Sequence, residues 1–168
     1  WKKARIYAIL IVMILHRGCW MMKRILFVSR QGSCWNLIAG AVMEKLAKDM
    51  GIAEQLQISM AAVGETSGVP LDTSIQKLLE EEGIECPLET LPLLQTRDSD
   101  RHDLLIGMDQ RDLREMYHIC GGDFSDKMSL LLDRANHPGD IMEQQGPKNL
   151  PLVLEGIREG CLGLLEQL

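Results

Sequence analysis

Residues 29–36, "SRQGSCWN", are the densest run of chemically capable groups in the chain. Two hydroxyls, a guanidinium, a thiol, an indole and two amides surround Gly32, after an apolar run and before a helix-like pattern. A strand that ends in a polar, glycine-containing loop and continues into a helix gathers backbone N–H groups at the helix's positive end. That layout favours an anion. A serine in such a loop becomes a nucleophile only with a general base beside it. His102, His118 and His137 are the histidines beyond residue 20, and none is adjacent to the loop in sequence. The five cysteines, Cys19, Cys34, Cys86, Cys120 and Cys161, form no C-x-x-C pair, and no histidine stands at zinc-ligand spacing. The count is odd and the chain is long enough to fold without staples. This predicts a reducing cytoplasm, no structural metal and no cofactor.

The elements that must position the loop follow from apolar periodicity. "RILFV" (24–28) is continuous, β-branched and aromatic, as in a strand buried on both faces. "LIAGAVMEKLAKDMGI" predicts a helix with Leu37, Val42, Leu46 and Met50 near one face and Gly51 as C-cap. "LQISMAA" is a second strand, and "TSIQKLLEEEG" a helix capped by Asp72 or Thr73. "HDLLIGMD" is a third strand, "QRDLREMYHI" a helix, "KMSLLL" a fourth strand, "RANHPGDIMEQQGPKN" a long loop, and "LPLVLEGIREGCLGLLEQL" a closing helix. Alternating strands and helices predict an α/β three-layer sandwich: a four-stranded parallel sheet with helices on both faces. Ligands of such sheets sit beyond the carboxyl ends of the strands, near the switch in strand order. The 168 residues, 46% of them apolar, suit one domain with a single sizeable core. A net charge of -6 argues against a nucleic-acid partner.

"ILFVSRQGSCWNL" is similar to the first strand and phosphate loop of the low molecular weight protein tyrosine phosphatases. Their pattern is an apolar strand, Cys, five residues, Arg, Ser and usually Pro. "HDLLIGMDQRDLREMYHICGGDFSDKMSLLLD" resembles the family's central strand, helix and next strand. "HPGDI" resembles the approach to its acid loop, and "VLEGIREGCLGLLEQL" its last helix. The resemblance spans Met21 to Leu168. It implies hydrolysis of aryl phosphates without a metal. A loop cysteine attacks phosphorus, the loop arginine clamps the phosphate, and an aspartic acid of an Asp-Pro pair protonates the leaving phenol. Water then hydrolyses the phosphocysteine.

Carried onto this chain, the resemblance puts Ser29 at the nucleophile position, Trp35 at the arginine position and Glu143 at the general-acid position. Loop dipoles lower a cysteine's pKa enough to give a thiolate, but they do not close the much larger gap of a hydroxyl. A guanidinium meets two phosphate oxygens with a charged planar fork, whereas indole offers one neutral N–H. Charged hydrogen bonds contribute roughly 1.5–3 kcal/mol each, so losing two costs roughly 3–6 kcal/mol, about 10²–10⁴ in affinity. Read without the resemblance, Ser29 is a small polar residue ending a strand, Trp35 is an aromatic packed on neighbouring helices, and Glu143 is a solvated carboxylate. Glu can still donate a proton, but Gln144 replaces the partner Pro.

The rest of the loop comprises Arg30, Gln31, Gly32, Ser33, Cys34 and Asn36. Arg30 is the nearby cation, at a position where family side chains point outward. Gln31-Gly32 stands for the family's Gly-Asn pair, and Gly32 takes positive φ without strain. Cys34 matches the family's second loop cysteine, but with Ser29 opposite no disulfide can form. Asn36 stands where a serine usually supports the nucleophile, and Leu37 where Pro opens the helix. Asp109 matches an acidic residue of the polar network behind the loop, and its position also suits a helix N-cap.

Three functions compete. One is a family member impaired in catalysis, a pseudophosphatase, with a protein partner or no selected role. The second is an active phosphatase acting on a phosphotyrosine protein or small aryl phosphate. The third is the related arsenate reductase chemistry, which needs the loop cysteine and resolving cysteines. Residues 1–20, with the apolar run Ile6 to Leu15, are read as a non-native or upstream-translated leader. The run is about half the roughly 20 residues a membrane span needs, and no signal-peptide cleavage site follows it. The phosphatase-like domain is expected to be 21–168, cytoplasmic and without a membrane partner.

Overall fold

The computed structural model describes residues 4, 6–8, 11, 21–30, 34–64, 73–86, 91–135 and 149–168. Four parallel strands, β1 (Lys23–Arg30), β2 (Leu56–Val63), β3 (Leu104–Gly107) and β4 (Met128–Leu130), form one sheet in the order β2-β1-β3-β4. The helices are α1 (Trp35–Asp49), α2 (Thr73–Glu81), a single turn α3 (Asp98–Arg101), α4 (Gln110–Cys120) and α5 (Leu150–Leu165). The expected three-layer α/β sandwich is what the chain forms. Strand order reverses between β1 and β3, so the crevice of such a sheet lies where their carboxyl ends part.

Period-2 alternation in β1 divides the core. Ile25 and Phe27 join the larger cluster with Ile38, Val42 and Ile157, under α1, α2 and α5. Leu26 and Val28 join the smaller cluster with Met116 and Cys120 of α4. A strand that is apolar on both sides must be covered on both. At its opposite end the sheet is pinned by Asp103, whose carboxylate accepts from the Arg24 backbone N at 2.8 Å and the Arg24 Nη2 at 3.2 Å.

Helix α1 ends in a Schellman motif. Met50 is the C-cap, and Gly51, at φ +69°, is the left-handed residue after it, one position beyond its expected role. The Gly51 N–H bonds the Lys48 carbonyl at 3.0 Å and the Ile52 N–H bonds the Ala47 carbonyl at 2.9 Å.

Two corrections concern length. The fourth strand, expected over 127–132, stops at Leu130, and Leu131–Arg134 turn into a 3-10 helix. The turn lets Leu131 and Leu132 bury themselves against α5. The closing helix, expected to reach Leu168, ends at Leu165. The proposed Asp72 cap, most of the leader and most of the long loop after Arg134 lie outside the described residues. Among the described residues, no helix is long and apolar enough to cross a membrane.

Candidate active site

Ser29 and Arg30 close β1 at the carboxyl end of the sheet, and the strand's alternation sends them to opposite faces. Ser29 continues the Ile25–Phe27 face, pairs in register with Ala62 of β2 and is 1% exposed. Arg30 continues the Leu26–Val28 face, towards α4. Its side chain therefore turns into the crevice beside β3. This corrects the outward orientation expected for that position.

The start of α4 receives it. Asp109 is the helix N-cap, its Oδ1 accepting from the Asp112 N–H at 2.8 Å. Its other oxygen, Oδ2, lies 2.5 Å from Arg30 Nη2. Asp112 Oδ1 accepts both the Arg30 backbone N–H at 2.9 Å and Arg30 Nε at 3.1 Å. The helix-cap role expected for Asp109 is present, and the same carboxylate also pairs with Arg30. Both carboxylates are buried, and the guanidinium keeps about a third of its surface exposed. Burial acts to lower the Arg30 pKa, but the Asp112 hydrogen bond and the charges of Asp109 and Asp112 outweigh it and raise it. For Asp112, burial first and the charge of Asp109 second raise the carboxyl above its ordinary value, against the pull of Arg30. Three formal charges sum to one negative.

The helix side of the loop is built differently. Cys34 is the N-cap of α1 and makes no side-chain cap, and its carbonyl accepts from the Ile38 N–H at 3.0 Å. Trp35, half-buried, packs on the larger core cluster, as its reading as a packing aromatic requires. Asn36 is fully buried. Its Nδ2 donates to the Ala61 carbonyl at 2.9 Å, and its Oδ1 accepts from the Leu37 N–H at 2.9 Å. The side chain thus ties the first turn of α1 to β2.

The described histidines beyond residue 20 stand away from Ser29. His102 precedes β3 at the other end of the sheet, its Nδ1 against the Asp98 carbonyl at 2.9 Å, and His118 lies exposed in the last turn of α4. Three other described thiols titrate above their ordinary value. Burial, with the charges of Cys34 and Glu44, pushes Cys86 up to about 11. Burial and nearby aspartates raise Cys120, and burial alone raises Cys161. Cys161 is core, as expected, its thiol 3.7 Å from the Ala39 carbonyl. Gln31, Gly32, Ser33 and Glu143 lie outside the described residues.

Ser29, Arg30 and Asp109 thus converge on the strand ends, with Trp35 and Asn36 on the adjoining helix. Sequence reasoning missed Asp112. Its signal was present: an N-cap Asp followed three residues later by a second Asp, at the mouth of the strand facing Arg30.

Comparison with known proteins places this fold. YfkJ from Bacillus subtilis is similar over 89% of this chain and 96% of its own, with a TM-score of 0.75 at 24% identity. A low molecular weight protein tyrosine phosphatase from T. tengcongensis is similar over 87% and 99%, with a TM-score of 0.73 at 21% identity. Wzb from Vibrio vulnificus, solved with benzylphosphonate, is similar over 88% and 99%, with a TM-score of 0.69 at 16% identity. At these identities the likeness is one of fold. A search of curated protein sequences returned no match. The sequence profile described as low molecular weight phosphotyrosine protein phosphatase matches residues 24–168, and the chain belongs to that family.

Proposed function

We propose that this family member is impaired as a phosphatase. Ser29 takes the place of the nucleophilic cysteine, and Trp35 that of the phosphate-clamping arginine. The observation that carries the reading is Trp35: its half-buried side chain packs against the larger core cluster at the first residue of α1. An arginine reaching for a phosphate would have to leave that packing. Ser29 is buried, and His102 and His118, the described histidines beyond residue 20, stand away from it, so neither is placed to act as the general base that a serine nucleophile needs. Glu143 remains the candidate general acid, and catalysis in this family scheme is metal-independent. A phosphotyrosine protein, a small phosphate ester or a protein partner of the disabled site is the expected ligand class, and the cytoplasm the expected compartment.

Hydrolysis of p-nitrophenyl phosphate tests the reading. The expected result is turnover no greater than buffer. Turnover well above buffer that disappears in Ser29→Ala would establish a working serine enzyme and reverse it.

A further inference from the structure

We propose that Asp109 and Asp112 act as an internal oxyanion lock, holding the Arg30 guanidinium in the β1–β3 crevice and withholding it from an external phosphate. Arg30 directly follows Ser29 at the carboxyl end of β1, where a ligand of this fold class would sit. Its fork presents Nε and Nη2 to two carboxylates, at 3.1 and 2.5 Å, the geometry it would otherwise offer to two phosphate oxygens. The internal ligands are placed before any external one arrives. Asp109 is fixed as the cap of α4 and bonded to the Asp112 N–H, and Asp112 also holds the Arg30 backbone N–H. An external anion must displace a partner that pays no association entropy. It must also approach a cluster of net charge minus one, which repels it.

The proposal rests on the impaired-phosphatase reading, since it explains why the remaining cation does not rescue anion binding. Its test is separate from turnover. Calorimetric titration with inorganic phosphate compares the intact chain with Asp109→Asn/Asp112→Asn, which keeps the shape of the cluster. Asn caps a helix as well as Asp, and an amide oxygen at 112 still accepts from Arg30. The expected result is a gain in phosphate affinity of about tenfold or more. Adding Arg30→Gln to the double variant should abolish that gain. Neutralising two carboxylates elsewhere, Glu54→Gln with Glu80→Gln, should leave affinity unchanged. Asp112→Asn alone, the milder change, should move in the same direction as the double variant and decides the matter should the double variant unfold.

Unchanged affinity in the folded variants overturns the lock. So does a gain that survives Arg30→Gln, because the effect would then be net charge alone. Tight phosphate binding by the intact chain that Arg30→Gln removes also overturns it. Serine-dependent turnover by the intact chain would defeat the impaired reading while leaving this affinity comparison to be judged by itself.

Discussion

Arg30 Nη2 and Asp109 Oδ2 stand 2.5 Å apart, joining the end of β1 to the cap of α4 across the point where strand order reverses. The contact lies at the strand ends, beside the crevice where sheets of this class receive ligands. Its chemistry sets the first expectations.

Arg30→Ala leaves Asp109 and Asp112 buried beside each other without a counter-charge. Removing one partner of a buried charged cluster costs about 3–5 kcal/mol. The loss should shrink on acidification, because protonating one carboxyl relieves both desolvation and repulsion. Urea denaturation at neutral and acid pH checks both magnitude and trend. An equal loss at both pH values would mean that packing, not charge, is what Arg30 supplies.

Asp112→Asn should change how stability depends on pH. The folded Asp112 carboxyl titrates above its ordinary value of 3.8, so the folded state binds this proton more readily than the unfolded state. Its contribution therefore falls as pH rises from the unfolded value through the folded one, and stays low above it. Asn has no such term. The variant should gain on the parent as pH rises from about 4 to about 7, relative to their difference at low pH. A chemical-denaturation series over that range reads it, and a difference that runs the other way refutes the assignment.

The larger elements were legible because they are written in long apolar patterns. β1 had to be a doubly covered strand, and α1, α4 and α5 carried helical spacing. The family resemblance gave residue positions that periodicity could not. The direction of Arg30 was legible too, since it shares the parity of Leu26 and Val28, whereas the family resemblance alone implies an outward side chain. Asp112 was missed because its role depends on β3 bringing α4 beside β1, a contact between residues 82 positions apart. The short fourth strand reflects a tertiary demand: Leu131 and Leu132 gain more by turning to α5 than by extending the sheet edge. Gly163 carried no recognisable signal either, being needed only for a close approach.

At that approach, a Cβ on Gly163 would lie 1.9 Å from the Arg134 carbonyl oxygen and 3.2 Å from Arg134 Cβ. Backbone cannot swing aside as a side chain does, so α5 would have to lift from the Leu131–Arg134 turn. Gly163→Ala should cost at least the ~1–3 kcal/mol of an overpacked core, despite alanine's better helix propensity. A thermal melt of the variant at or above the parent's midpoint would show that the turn yields freely.

Asn36 makes a narrower claim. Asn36→Ala strips the Ala61 carbonyl of the Nδ2 donor in a site with no solvent exposure at residue 36. Losing a buried hydrogen bond of this kind costs about 0.5–1.5 kcal/mol. Because the bond ties the start of α1 to β2, hydrogen exchange should quicken in the first turn of α1 more than at its Lys48 end. Uniform exchange along the helix would mean that Asn36 does not anchor it.

Restoring chemistry tests the proposed impairment most directly. Ser29→Cys supplies a group whose anion is accessible near neutral pH, and Trp35→Arg supplies the fork. Neither suffices alone: the thiolate without the clamp meets an unbound phosphate, and the clamp without the thiolate binds an ester it cannot cleave. Trp35→Arg also removes an aromatic from the core margin, so the double variant should melt below the parent. It should nonetheless hydrolyse p-nitrophenyl phosphate measurably while each single variant stays near buffer, a non-additivity expected of groups that act on one transition state. Asp109→Asn/Asp112→Asn in that background should raise activity further if Arg30 also reaches the substrate. A double variant that is folded by circular dichroism yet inert would place the defect in the loop backbone rather than in the two side chains.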